Sequence, residues 1–144
     1  MTYIVTGGAG FIGSNFLHYI KNYTELEDRV VVLDILGYAA KREYIPEDKQ
    51  FVFEWCDILD ESNVNYIFDK HKPRKIFHFA AESHVDNSIK NYRPFLESNV
   101  IGTINLLNAS LRHETEKFHH VSTDEVYGSL EYDDPFLFTE TTKY

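Results

Sequence analysis

Two alternating patterns of apolar positions run along this chain: short β-branched or aromatic runs, and longer stretches whose apolar residues recur every three or four positions. Residues 3–6, 30–33, 51–54, 75–80 and 118–122 read as strands. The run 30–33, all apolar, has the character of a strand buried on both faces. Helical periodicity covers 11–23, with Ile12, Phe16 and Ile20 on one face. It covers 60–71, with Asp60 as cap, Val64, Ile67 and Phe68 inward, and Pro73 beyond the end. It returns at 92–113, where Leu96, Val100, Ile104, Leu107 and Leu111 form an apolar side, facing either a core or an interface. Strands separated by crossovers of a dozen or more residues predict an α/β fold: a doubly wound parallel sheet with helices on both faces. After Gly128 neither period continues, and "SLEYDDPFLFTETTKY" reads as a loop.

Composition narrows the class. The 144 residues are enough for one domain with a real core, and 43% hydrophobic with 26% charged residues is ordinary for a globular protein. The formal net charge of -9 argues against nucleic acid or an anionic membrane surface as partner. It leaves room for a small anionic ligand held by local backbone donors. One cysteine, Cys56, excludes a disulfide framework and reads as a small buried hydrophobe. No signal peptide or membrane-length apolar run is visible, so the cytoplasm is the expected location.

The candidate chemistry begins where the first strand meets the first helix. Thr6-Gly7-Gly8-Ala9-Gly10-Phe11-Ile12-Gly13 satisfies G-x-G-x-x-G from Gly8 and G-x-x-G-x-x-G from Gly7. Gly7 or Gly8 can make a tight turn, Gly10 lets backbone approach a diphosphate, and Gly13 allows close helix–strand packing. A glycine-rich turn without a ligand is the competing reading. The strand–turn–helix context and Asp34, twenty-one positions after Gly13 at the end of the second strand, favour a Rossmann-type dinucleotide site. A carboxylate there accepts hydrogen bonds from a ribose and repels an extra phosphate, which selects NAD over NADP, although Lys41 and Arg42 are nearby. Asp57-Ile58, after the third strand, reads equally as an adenine contact or a helix-start cap. Ala80-Ala81 suit a wall pressed against a cofactor, or simply tight packing.

Ser122, Thr123, Asp124 and Glu125 follow the fifth strand, where ligands of open parallel sheets bind. Two hydroxyls and two carboxylates can divide acid and base work if their environments separate their pKa values. The competing reading is a capping box, Ser122-x-x-Glu125, which needs a helix after it. His78, His84, His119 and His120 have no metal-ligand spacing, and His119 and His120 point to opposite faces of a strand, so no metal site is expected.

The glycine cluster, "HFAAESHVDNSI", "SNVIGT" and "STDEVYG" resemble the extended short-chain dehydrogenase/reductases that act on sugar nucleotides, and within them most of all the dTDP-glucose 4,6-dehydratase family. The resemblance spans nearly the whole chain. It implies that Phe11 and Ile12 lie along the NAD diphosphate, that Asp34 holds the adenosine ribose, and that Asp57 and Ile58 hold the adenine. Phe79, Ala80, Ala81 and Glu82 line the cofactor, with Ser98 near it. Ser83 and Thr123 contact the hexose, Asp124 is the acid and Glu125 the base. The reaction implied is conversion of dTDP-glucose to the 4-keto-6-deoxy sugar, with a homodimer built on the long helix and its neighbour. The Tyr-x-x-x-Lys pair of that superfamily is expected on a helix beyond the fifth strand, past Tyr144. Tyr66…Lys70 matches its spacing but precedes the fourth strand, and reads as an ordinary helix turn. On this reading 1–144 is the cofactor-binding part of a larger enzyme, inactive alone. A stand-alone dinucleotide-binding module and a nucleotide-sugar 4-epimerase are the alternatives.

Overall fold

The structure, a computed structural model, describes residues 1–144. Five parallel strands form one sheet: β1 (Thr2–Thr6), β2 (Arg29–Asp34), β3 (Phe51–Trp55), β4 (Lys75–His78) and β5 (Lys117–His120), in the order β3-β2-β1-β4-β5. Thr6 stands beside Leu33 and His78, so the carboxyl ends of β1, β2 and β4 lie level. The order reverses at β1, and the crevice between the ends of β1 and β4 is the switch point of the fold.

Helices cover both faces. α1 (Phe11–Tyr23) packs Leu17 and Ile20 on Tyr3, Val5, Val30 and Val32. α2 (Glu61–His71) and α5 (Thr103–Arg112) bury Val64, Ile67, Phe68, Leu106 and Ala109 against Ile4, Val31, Leu33 and Ile76 on the other face. Alternate residues of β1 and β2 serve opposite cores, as period-two geometry requires. Asp60 caps α2 by accepting from the Asn63 amide at 3.0 Å, and Lys72 ends it in a left-handed conformation at φ 47°.

Four sequence expectations need correction. On α1 the buried positions are Gly13, Ser14, Leu17 and Ile20, while Ile12 is 62% exposed, so the inward face is rotated from the Ile12–Phe16–Ile20 stripe. β4 stops at His78 and β5 at His120, which frees Phe79–Ala80 and Val121–Ser122 to serve loops. The long helix of 92–113 is split. A three-residue turn, α4 (Arg93–Phe95), leads into a seven-residue π-helical segment (Leu96–Gly102) and then α5. Leu96, Val100, Ile104, Leu107 and Leu111 nonetheless share one side, and it is the outer surface. Lastly, α3 (Val85–Lys90) fills a stretch the periodicity left blank. Beyond Tyr127 no helix or strand forms, in line with the loop reading. No helix is long and apolar enough to cross a membrane.

Phe68 is fully buried among α2, the sheet and α5. Phe68→Ala should cost about 3–5 kcal/mol of unfolding free energy in urea titration, because the cavity cannot close between two rigid layers. Cys56 is buried too, and burial first, then Asp57, Asp60 and Glu54, push its thiol up to about 12. The native protein should therefore resist iodoacetamide at pH 8 and react only after unfolding, as mass spectrometry would read.

Candidate functional site

A cleft of about 280 Å³ opens along the carboxyl ends of the strands. Its floor is the glycine turn. Gly7 adopts φ +67°, the left-handed region, and a Cβ there would lie 2.6 Å from the Ala80 amide nitrogen and 2.8 Å from the carbonyl carbon of Phe79. Only glycine lets the end of β1 lie this close to the chain leaving β4. Gly13 is equally constrained, since a Cβ would overlap the Gly7 carbonyl oxygen. Gly10 begins α1 in extended conformation with no side-chain cap, so the first-turn amides have no partner within the helix and the positive end of its dipole faces out. Phe11 and Ile12, 82% and 62% exposed, stand at the start of α1 beside the turn and do not line the cleft.

Asp34, at the end of β2, is 8% exposed and lines the cleft. One carboxylate oxygen accepts from the Ala9 amide at 3.0 Å and the other from the Leu36 amide at 2.8 Å. The acid expected to face a ribose thus also braces the glycine turn. Each oxygen keeps a lone pair for a further donor. Asp57 accepts from the Leu59 amide at 2.9 Å, closing a turn just ahead of α2, while Asp60 takes the capping role. Both Asp57 and Ile58 line the cleft, and Ile58 is tucked against Gly102 of the π segment, where a Cβ would collide with it.

The opposite wall is Phe79, Ala80, Ala81, Glu82 and Ser83, with Glu97 and Ser98 from the π segment. Asn99 clamps this wall. Its side-chain oxygen accepts from the Glu82 amide and its nitrogen donates to the Glu82 carbonyl, both at 2.8 Å. Sequence reasoning missed Asn99, and it missed Ile35, Tyr38, Ala39, Leu59 and Pro94, which are among the other lining residues. The π segment turns 97–99 toward the wall, and the straight helix expected from periodicity gave no signal of it.

No lysine or arginine lines the cleft, whereas Asp34, Asp57, Glu82 and Glu97 do. The nearby cations are held elsewhere: Lys41 lies 5.7 Å from the Tyr44 ring and Arg42 4.8 Å from the Phe53 ring. An anion here meets backbone amides and the hydroxyl-bearing residues Tyr38, Ser83 and Ser98, but no cation.

Thr123, Asp124 and Glu125 stand outside this cleft. The Val121 amide bonds to the His78 carbonyl, so the chain leaves the sheet at the same edge. A short 3-10 turn, Asp124–Tyr127, follows with Thr123 as its cap, its hydroxyl oxygen accepting from the Glu125 amide at 3.2 Å. The Ser122–Glu125 capping box is not formed; Thr123 caps the turn instead, two residues before Glu125. The Thr123 hydroxyl also lies 3.3 Å from Asp124. Ser122, Thr123, Asp124 and Tyr127 line a second, open depression together with Tyr144, to which Glu125 does not contribute. Tyr66 is 61% exposed on α2 with Lys70 5.9 Å from its ring, a surface pair. No group of histidine, cysteine and acidic residues could hold a metal ion.

Behind the wall lies a buried polar string. The Ala80 amide donates to the Thr6 hydroxyl (3.3 Å), which meets His78 Nδ1 (2.7 Å), and His78 Nε2 meets the Thr103 hydroxyl (3.0 Å). Burial first, then His120, lower the His78 pKa to about 4.

Among curated relatives, dTDP-glucose 4,6-dehydratase of Mycobacterium tuberculosis is 47% identical over all of this chain, which spans 43% of that protein's length. The Escherichia coli dTDP-glucose 4,6-dehydratase 1 is 43% identical, with 45% of its length covered. Of solved structures, Streptomyces venezuelae DesIV, a dTDP-glucose 4,6-dehydratase with NAD and TYD bound, superposes with TM-score 0.87 at 40% identity, covering 99% of this chain and 44% of that one. The Thermus thermophilus UDP-glucose 4-epimerase with NAD gives TM-score 0.86 at 34% identity, covering 99% and 44%. The chain therefore spans less than half the length of these relatives. The family model described as GDP-mannose 4,6 dehydratase matches residues 4–144, and the chain belongs to that family.

Proposed function

We propose that residues 1–144 are the cofactor-binding part of an NAD-dependent 4,6-dehydratase acting on a nucleoside-diphosphate hexose, with dTDP-glucose as substrate. One observation carries the cofactor half of this reading: an uncapped helix start on a glycine turn that only glycine can make, with Asp34 bonded to that turn inside the same cleft. The relatives named above support the substrate.

The residues fit NAD. The amides of Phe11, Ile12 and Gly13 would receive the diphosphate, with Gly10 letting the backbone approach it, and Asp34 would receive the adenosine ribose, while Asp57 and Ile58 would bound the adenine. Phe79 to Glu82 and Ser98 would line the nicotinamide-side path. When bound, NAD supplies reversible acceptance of a hydride from the hexose. This chain's own part is proton movement. Once C4 is a ketone, the C5 hydrogen is acidic enough for a carboxylate to remove. Glu125 takes that proton, and Asp124 gives one to the C6 hydroxyl so that water leaves. Thr123, bonded to Asp124, would contact the hexose together with Ser83. The division of labour requires one carboxyl to lose its water when substrate covers it, which raises that group's pKa. A second copy would pack on the outer stripe of Leu96, Val100, Ile104, Leu107 and Leu111, each at least 40% exposed.

Titration calorimetry of this chain should show NAD binding at least about tenfold tighter than NADP, since a cleft without cations cannot neutralise another phosphate. Asp34→Ala should weaken NAD roughly tenfold and narrow the gap. Equal affinities in the unaltered chain would end this reading. Incubated with dTDP-glucose and NAD, residues 1–144 should give no 4-keto product. A chain extended through Tyr-x-x-x-Lys should give it, and Glu125→Gln in that longer chain should cut kcat by roughly 10²–10⁴.

A further inference from the structure

The direction of every hydrogen bond around His78 follows from its neighbours. The Thr103 hydroxyl spends its proton on the Asn99 carbonyl at 2.8 Å, so toward His78 it can only accept. His78 must then carry its proton on Nε2, which leaves Nδ1 an acceptor. The Thr6 oxygen accepts from the Ala80 amide, and its own proton is free to go to Nδ1 at 2.7 Å. The string thus runs one way: Ala80 N–H to Thr6, Thr6 to His78, His78 to Thr103, Thr103 to the Asn99 carbonyl. It ends on the residue whose side chain clamps Glu82. It starts at the Ala80 amide and stops at the Asn99 carbonyl, tied to β1 through Thr6 and to α5 through Thr103, and the Asn99 side chain reaches the same wall at Glu82. Around the imidazole, Phe118 packs edge-on at 5.7 Å between centroids, and the titratable neighbour is His120 of β5 at 5.2 Å. His78 is 1% exposed and touches neither the cleft nor the acid–base triplet.

We infer that His78 is a positioning residue: as the Nε2–H tautomer it latches the end of β1 to α5 and so holds the backbone of Ala80 to Glu82 in the shape that receives the cofactor. The inference rests on the reading of the cleft as the NAD site. A cationic His78 would present a proton to Thr6 and leave the threonine's own proton without an acceptor, in a site with no carboxylate to offset the charge. Burial keeps the ring neutral, so the latch holds at physiological pH.

The test uses this chain with nitrogen-labelled histidine and three readouts. Nitrogen NMR at neutral pH should find His78 protonated on Nε2; protonation on Nδ1 overturns the inference. His78→Leu removes both bonds and should speed amide exchange at Ala80 and Glu82 at least about tenfold, while Ile4 and Val31 stay protected. His78→Asn, which keeps an acceptor near the Nδ1 position, should restore much of that protection. The NAD dissociation constant should rise about tenfold in the leucine variant and recover in the asparagine one. Unchanged exchange at Ala80 and Glu82, or uniform acceleration across the sheet, overturns the latch. If exchange behaves as described and the unaltered chain takes up no NAD, the latch stands and the cofactor reading fails.

Discussion

Backbone meeting backbone at the switch point is the constraint on which this structure depends. The end of β1 and the chain leaving β4 approach so closely at Gly7 and Ala80 that no Cβ fits between them. That contact sets where α1 begins and brings its first-turn amides to the mouth of the cleft. It also lets the Ala80 amide reach Thr6 and start the buried string through His78. Strand ends, helix dipole and wall are consequences of one close approach, which is why so much of the site is backbone.

Electrostatics then decides what such a site can hold. The chain is acidic overall, and Asp34, Asp57, Glu82 and Glu97 line the cleft while no lysine or arginine does, although Arg93 pairs with Glu97 from outside the lining at 3.4 Å. Fixed amide dipoles can receive a diphosphate without a cation because they are already oriented and cost little to reorganise. Asp34 works in two directions at once, bracing the Ala9 amide and presenting its remaining lone pairs to the cleft. Lys41 and Arg42, close in sequence to the cofactor loop, are engaged with aromatic rings instead.

The order of strands and helices was legible because buried parallel strands and amphipathic helices leave different periods in a chain. The phase of a helix was less so. On α1 both Ile12 and Leu17 are apolar, and only contact with the sheet selects Leu17 for burial. On 92–113 the apolar stripe is real, but it lies on the outer surface, and Leu106 and Ala109 are the residues inside. Periodicity marks an apolar face without saying whether a core or an interface covers it, and it gives no sign of the π-helical segment. In the site, residues with an unusual local duty were readable: Gly7 and Gly13 by missing side chains, Asp34 by its place after a strand. Asn99 and His78 were not, because their duties exist only between elements distant in sequence.

What the sequence determined by itself is therefore the local chemistry: a turn no other residue can make, a helix start without a cap, an acid at a strand's end and a pair of carboxylates after another. These follow from φ preferences and side-chain donors that need only near neighbours. Tertiary structure decided which faces are covered, how the long helix is interrupted, and that Ala80 and Glu82 are held from behind by threonine, histidine and asparagine. Such choices depend on packing between layers, where each side chain's partner is set by the whole sheet rather than by the residues beside it in the chain.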